Sequence, residues 1–279
     1  MTFRDYINEG KERLYQAGQG EQAAQLFMVE LCRKHNVNVY ADMEKSVPED
    51  IRVDYLEGIH RMELGEPLGY VLGYEWFYGY DFIVNENVLI PRAETEELVG
   101  LVLQLYDDHF GGQEVTLFDV ATGSGAIAIT LDKEEKNLKV YASDISKEAL
   151  EVAKENNKHL EADVSFLQGD MLEPFIEKGL QCDILVCNPP YIPKEEKMEA
   201  SVVDYEPHVA LFGGEDGLYF YRSIFERAKE VLKPGAILAF EMGYDQGKSL
   251  KQLAQHYFPK AKILVHKDMS GKDRMLSIE

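Results

Sequence analysis

The stretch Asn188-Pro189-Pro190-Tyr191 carries the clearest chemistry in this chain. A residue that precedes proline is pushed toward extended backbone, so Asn188 and Pro189 are both held stiffly. Neither proline has an N–H to donate. The Asn188 side-chain oxygen and the Pro189 carbonyl can therefore act as two acceptors for a planar –NH2 group, which offers two donors. Tyr191 offers a flat surface against which such a group can stack. A site of this kind grips the nitrogen of a carboxamide or of an exocyclic base amine without ionising it. The same four residues also suit a plain strand end followed by a Pro-Pro turn, and the rest of the chain decides between the two.

A second chemical stretch is Asp119-Val120-Ala121-Thr122-Gly123-Ser124-Gly125. Small residues after a strand let backbone approach a ligand closely, and the helix that follows presents free N–H groups. Asp144, at the end of the next expected strand, is placed to accept from two ribose hydroxyls, which points to an adenosine-type ligand. A dinucleotide-binding loop would carry a third glycine in register, and a phosphate-binding loop a Lys-Ser/Thr pair; the string has neither. A loop preceded by Asp119 and free of basic residues suits a ligand without phosphates. S-adenosylmethionine carries an amine and a sulfonium, which a nearby carboxylate attracts. An ordinary tight turn between strand and helix is the alternative. Asp170, after the third strand, is a further candidate for the adenine edge, or else a helix cap.

These residues need a scaffold. Ile184 to Cys187 is an unbroken apolar run stopped by proline, the pattern of a strand buried on both faces of a parallel sheet. Asn188 then sits at the carboxyl end of a central strand, where open α/β sheets bind ligands. Further strands are expected at 115–119, 139–143, 164–167, 236–241, 262–265 and 275–278, with helices near 126–132, 147–160, 216–232 and 246–257. Alternating strands and helices imply a mostly parallel sheet covered on both faces. Residues 2–64 read as three helices, with Thr2 as a cap for the first and Pro48 in the first turn of the third. Glycines and aromatics crowd the stretch from Gly65 to Arg92, which reads as a β-hairpin connection. Val88 to Ile90 reads as a short strand that gives way to a helix starting around Thr95. The expected organisation is a helical bundle over 1–72, a hairpin linker over 73–92 and an α/β domain over 93–279.

The chain has 279 residues, with 45% hydrophobic and 28% charged content, ordinary for a globular protein. Its 29 basic and 50 acidic residues give a net charge of −21. A long phosphate backbone would meet a repulsive mean field, which argues against nucleic acid as the main partner and favours a protein with a basic surface. The three cysteines, Cys32, Cys182 and Cys187, show neither metal-ligand spacing nor a disulfide framework. No metal is expected. With no apolar signal region at the amino terminus and no run of membrane-spanning length, a cytoplasmic protein without a membrane partner is expected.

The residues resemble the HemK/PrmC family of S-adenosylmethionine-dependent methyltransferases, which act on the glutamine nitrogen of the Gly-Gly-Gln motif in class I peptide release factors. The resemblance spans nearly the whole chain. Beyond the two stretches above it includes Gly65-Glu66-Pro67-Leu68, Phe77-Tyr78-Gly79, Val88-Leu89-Ile90-Pro91-Arg92 with Glu94-Thr95-Glu96, Glu206-Pro207, Gly213-Gly214-Glu215-Asp216-Gly217-Leu218, and Asp273-Arg274-Met275. Asn-Pro-Pro-Tyr alone is shared with adenine-N6 methyltransferases, whereas the whole set is far more specific.

The resemblance implies a seven-stranded, Rossmann-like class I methyltransferase sheet whose last strand is antiparallel, a helical amino-terminal domain that helps hold the release factor, and a hairpin linker. It implies S-adenosyl-L-methionine as cofactor and S-adenosyl-L-homocysteine as product. By matching motif positions, Asp119, Val120, Ala121, Thr122 and Gly123, with Ser124 and Gly125, would line the methionine part of the cofactor. Asp144 with Ile145 would hold the ribose, and Asp170 with Met171 the adenine. Arg92, Glu94 and Thr95 would lie over the cofactor, and Asn188 would touch it too. Asn188, Pro189, Pro190 and Tyr191 would hold the substrate glutamine, with Asn188 and Pro189 as the catalytic pair. A monomer is expected. Two positions depart from the family pattern: Ala121 stands where a glycine is usual and Ala93 where a proline is usual.

Two rival substrates share this chemistry. One is the glutamine of a ribosomal protein, which charge alone does not separate from a release factor. The other is the adenine N6 of a nucleic acid, which predicts a basic groove beside Asn188; the nearby sequence offers Lys194 and Lys197 but also Glu195, Glu196 and Glu199. A cofactor-binding module without catalysis predicts a damaged Asn-Pro-Pro-Tyr motif, and the motif is intact. The chain has its own Gly111-Gly112-Gln113. It precedes the first strand of the sheet, so at ~3.3 Å per residue it lies about 15–20 Å from a site at that strand's far end, which argues against self-methylation in cis.

Overall fold

The computed structural model describes residues 1–196 and 204–279. They divide into two compact units, residues 1–74 with 204–206, and residues 75–196 with 207–279.

The first unit is helical: α1 (Phe3–Gln16), α2 (Gln22–Lys34), α3 (Val39–Asp42), α4 (Glu49–Glu63) and α5 (Leu68–Leu72). Thr2 and Asp5 form a reciprocal capping box at the start of α1, which satisfies two backbone donors the helix leaves orphaned. The apolar faces of the three long helices meet in one core, where Phe3, Ile7 and Leu14 join Phe27, Met28, Ile51, Tyr55 and Ile59. Phe27 stacks on Tyr55 with ring centroids 5.7 Å apart. The glycine-rich stretch after Gly65 begins with a helical turn, because Pro67 stands at its amino end and Gly73, at φ +80°, stops it.

The second unit holds a hairpin of β1 (Tyr74–Phe77) and β2 (Tyr80–Ile83), followed by α6 (Ala93–Phe110). The short strand expected over Val88 to Ile90 is not formed. The Val88 N–H turns back to the Asn85 carbonyl at 3.1 Å, both apolar side chains are buried, and Pro91 has no N–H for a ladder. The helix starts two residues earlier than expected, so Thr95 is its third residue and does not cap it.

The remaining elements alternate: β3 (Val115–Val120), α7 (Ala126–Glu134), β4 (Leu138–Asp144), α8 (Lys147–His159), β5 (Ser165–Gln168), α9 (Glu173–Glu177), β6 (Cys182–Cys187), α10 (Tyr219–Val231), β7 (Leu232–Glu241), α11 (Gly247–Tyr257), β8 (Ile263–Lys267) and β9 (Asp273–Ile278). Seven strands form one sheet in the order β5-β4-β3-β6-β7-β9-β8. All neighbours are parallel except β9, which runs antiparallel to both β7 and β8. This is the mostly parallel sheet expected from the alternation, with the antiparallel strand that the family resemblance implied.

Side chains alternate across the strands, so one sheet has two cores. Leu117 and Ile184 face the side covered by α6 and α7, where Leu98, Val102 and Ile129 pack. Phe118 and Leu185 face the side covered by α10 and α11, where Ile224, Phe225 and Leu250 pack. Phe118 stacks on Phe175 at 4.1 Å, and burying each ring of that size stabilises the fold by about 1.5–3 kcal/mol. Cys182 and Cys187 are free, buried members of the second core. The parallel strands direct four loops to one end of the sheet, after β3, β4, β5 and β6.

Candidate functional site

Those four loops border one cavity of about 280 Å³. The loop after β3 contributes Ala121, Thr122, Gly123 and Ser124, the loop after β4 Asp144 and Ile145, and the loop after β5 Asp170 and Met171. Asn188 and Pro190 border it from the end of β6, and Arg92 and Thr95 from the start of α6. Most residues singled out in the sequence thus meet at one place. Asp119 and Val120 are fully buried beneath the loop, and Gly125 caps α7 at φ +83°. Pro189 is buried and Tyr191 half-buried beside the cavity, while Glu94 is exposed and is not part of its lining.

Backbone geometry shapes the loop after β3. Thr122 donates its amide to the Ser143 carbonyl at 2.9 Å, and the Gly123 N–H donates to Asp144 Oδ2 at 2.8 Å. Asp144 Oδ1 accepts the Ser146 N–H at 2.9 Å. Burial holds the Asp144 carboxyl above its ordinary range, and the Ser146 and Gly123 N–H groups pull it back. Ala121 lies at φ +60°, in the left-handed region that favours glycine.

Asp119 has an unusual setting. Thr122 Oγ1 donates to Asp119 Oδ2 at 2.5 Å, while Oδ1 has no hydrogen-bond partner among the described residues. Burial pushes this carboxyl up to about 7; the Thr122 hydroxyl and the Ala128 N–H lower it, and the Asp144 carboxyl adds to the rise. Asp119 itself is fully buried and is not part of the cavity lining, and an unpartnered buried oxygen favours a cationic or hydrogen-bond-donating neighbour.

The loop after β6 is held by side chains from elsewhere. Asn188 Nδ2 donates to Thr95 Oγ1 at 3.2 Å. Thr95 Oγ1 in turn donates to Glu241 Oε2 at 2.7 Å. The Tyr191 hydroxyl donates to Glu241 Oε1 at 3.2 Å, and Gln246 Nε2 donates to the Tyr191 carbonyl at 2.9 Å. A Cβ on Gly213 would lie 2.6 Å from the Pro190 carbonyl oxygen, and one on Gly217 would collide with the Tyr191 carbonyl. Only glycine lets the 213–217 turn approach so closely.

The chain matches the family model of the methyltransferase small domain over residues 100–205 and that of the PrmC N-terminal domain over residues 5–73. It is 46% identical to a release factor glutamine methyltransferase of Bacillus cereus, across 100% of this chain and 99% of the relative. The chain belongs to the release factor glutamine methyltransferase family. A family member from Bacillus subtilis is 42% identical over 99% of this chain and 96% of its own length. The structure of a methyltransferase from Pyrococcus furiosus overlays on 83% of this chain and 98% of that one with a TM-score of 0.51 at 16% identity, a likeness of fold.

Within this family member, the sequence left several supporting residues unseen. Glu241 and Gln246 brace the Asn188–Tyr191 loop, yet they lie 50 and 55 positions beyond Tyr191 and match no short motif. Asn156 on α8 donates to the Ser124 carbonyl at 2.9 Å, donates to the Ile83 carbonyl and accepts the Ile83 N–H. Glu96 accepts the Tyr78 N–H at 2.7 Å and so joins the hairpin to α6. Val209, Tyr219 and Phe220 also line the cavity. Lys194, Glu195 and Glu196 are exposed, and Lys197 and Glu199 lie outside the described residues. Gly111 to Gln113 form an exposed turn at the amino end of β3, opposite the end that carries the cavity.

Proposed function

We propose that this protein transfers a methyl group from S-adenosylmethionine to the side-chain amide nitrogen (N5) of the glutamine in the Gly-Gly-Gln motif of class I peptide release factors. The observation that carries the reading is that Asn188, at the end of β6, borders the same cavity as the 121–124 loop and Asp144. A holder for an –NH2 group and a holder for an adenosine thus open into one space.

The donor set fits the cofactor. The partnerless Asp119 Oδ1 suits its amine, and the Asp144 carboxylate, held by the Gly123 and Ser146 N–H groups, keeps lone pairs for ribose hydroxyls. Asp170 and Met171 border the same cavity and would meet the adenine. When bound, the cofactor supplies an electrophilic methyl group on a sulfonium.

The chain's own residues supply placement. An amide nitrogen is a weak nucleophile because its lone pair is delocalised, and among the described residues no side chain bordering Asn188 is a base strong enough to deprotonate it. The Asn188 oxygen and the Pro189 carbonyl orient the –NH2 group toward the methyl, and such positioning is worth about 7–11 kcal/mol of barrier. The same acceptors favour the positive charge that grows on nitrogen during transfer. The net charge of −21 suits a protein partner with a basic surface. We place the reaction in the cytoplasm, with the protein acting as a monomer. Among the described residues no helix is long and apolar enough to cross a membrane.

The test supplies labelled S-adenosylmethionine with a release factor, a ribosomal protein and DNA in separate reactions, and maps the modified atom by mass spectrometry. Label on N5 of the Gly-Gly-Gln glutamine is expected. Label on the ribosomal protein or on adenine alone would replace this reading with one of its rivals.

A further inference from the structure

The Asn188 carboxamide has an acceptor end and a donor end of nearly equal shape. Only one of them suits an incoming –NH2 group, so something must decide which end faces the cavity. The decision traces to a buried carboxylate. Glu241, the last residue of β7, is 2% exposed, and both of its oxygens are engaged, Oε2 by the Thr95 hydroxyl and Oε1 by the Tyr191 hydroxyl. Burial raises the Glu241 carboxyl above its ordinary range; the Thr95 hydroxyl, the Arg274 charge on β9 and the Tyr191 hydroxyl favour the ionised form, and Glu94 on α6 opposes it. The backbone carbonyl of Glu241 is anchored by the Tyr221 hydroxyl at 2.6 Å.

A carboxylate can only accept. The single Thr95 hydroxyl proton must therefore point at Glu241, 2.7 Å away, which leaves the Thr95 oxygen only lone pairs to offer Asn188. Asn188 meets those lone pairs with Nδ2, at 3.2 Å. Its Oδ1 is left for the cavity. The direction of the chain Asn188→Thr95→Glu241 is thus set by the charge at its far end.

We propose that Glu241 and Thr95 are positioning residues that form a polarity relay, holding the Asn188 carboxamide with its oxygen toward the substrate. The relay makes the site selective for a group with two N–H donors. It rejects the carboxylate of a deamidated substrate, which would set oxygen against oxygen. Reversing the relay would put the Asn188 –NH2 against the substrate –NH2, two donors with no acceptor between them. The inference rests on Asn188 being the holder of the substrate amide.

The experiment measures kcat with a release factor, together with S-adenosylhomocysteine affinity by calorimetry. Thr95→Val keeps the shape of the side chain and removes the relay; kcat falls about 100-fold, the scale of a misplaced reacting group. Cofactor affinity, read separately because Thr95 also borders the cavity, changes by far less than kcat, and Thr95→Ser, which keeps the hydroxyl, restores kcat to within about 3-fold of wild type. Glu241→Gln can show Thr95 either its oxygen or its nitrogen, so the fixed direction is lost and kcat falls about 10-fold with cofactor affinity again changing far less. A Thr95→Val protein with wild-type kcat, a Thr95→Ser protein no better than Thr95→Val, or a loss of cofactor affinity that accounts for the fall would overturn the relay alone. A wild-type protein inactive on the release factor would remove the functional reading and the relay with it.

Discussion

The loops after β3 and β6 end neighbouring strands and border the same cavity, yet they are built by opposite means. The first is held mostly by nearby backbone: Gly123 N–H on Asp144, Thr122 N–H on the Ser143 carbonyl, Thr122 hydroxyl on Asp119 three residues away. The second is held by distant side chains, from Thr95 on α6, Glu241 on β7 and Gln246 at the start of α11. A loop that wraps a ligand with its backbone needs small residues in sequence. A loop that must aim one amide needs partners brought in by the fold.

Damage to the two loops should therefore have separable effects. The largest effect falls on the second loop: Asn188→Ala abolishes methyl transfer, with kcat down at least ~1000-fold, while S-adenosylhomocysteine affinity changes by less than about 3-fold. Parallel loss of affinity and turnover in a calorimetric and kinetic comparison would erase the distinction between the loops.

The next effect falls on the first loop and depends on pH. The Asp119 carboxyl sits near about 7 in the folded protein, above its ordinary 3.8, so the folded state holds this proton longer than the unfolded chain does. Stability is then greatest below the ordinary carboxylate range and is lost as pH rises from about 4 to about 7, by an amount on the order of 4 kcal/mol for a three-unit shift. Asp119→Asn removes that loss. In thermal melts of the cofactor-free protein, the variant should gain on wild type at pH 8 and gain much less at pH 5, while binding cofactor more weakly. An equal gain at both pH values would show that burial of this charge is not the cause.

The smallest effect belongs to Ala121. Its φ of +60° costs an alanine about 1 kcal/mol that a glycine would not incur. Ala121→Gly should raise Tm by about 2 °C. An unchanged or lower Tm would mean that contacts of the Ala121 methyl offset the strain.

The same contrast explains what the sequence made legible. The sheet was readable because each strand is a short apolar run with a sharp end, and the first loop was readable because its partners, Asp119 to Asp144, lie within 26 consecutive positions. The Asn188 motif was visible as chemistry, but its aim was not. Thr95 lies 93 residues before Asn188 and Glu241 lies 53 after it, so no local pattern links them. A threonine followed by carboxylates resembles a helix cap, which is why the sequence around Thr95 suggests a helix start; tertiary contact gives its hydroxyl another partner, Glu241. The strand expected over Val88 to Ile90 failed for a related reason, since an apolar run before a proline can be buried as a turn as well as in a ladder.

Asn156 has a wider consequence. A single amide, fully buried, grips the outer edge of the hairpin at Ile83 and the loop after β3 at Ser124. Neither segment can lift away without stranding polar groups the other relies on, a penalty of about 1–3 kcal/mol for each group left bare. Deuterium should therefore enter both segments at one shared rate, and a molecule resting on the loop would slow exchange in a ribbon it never touches.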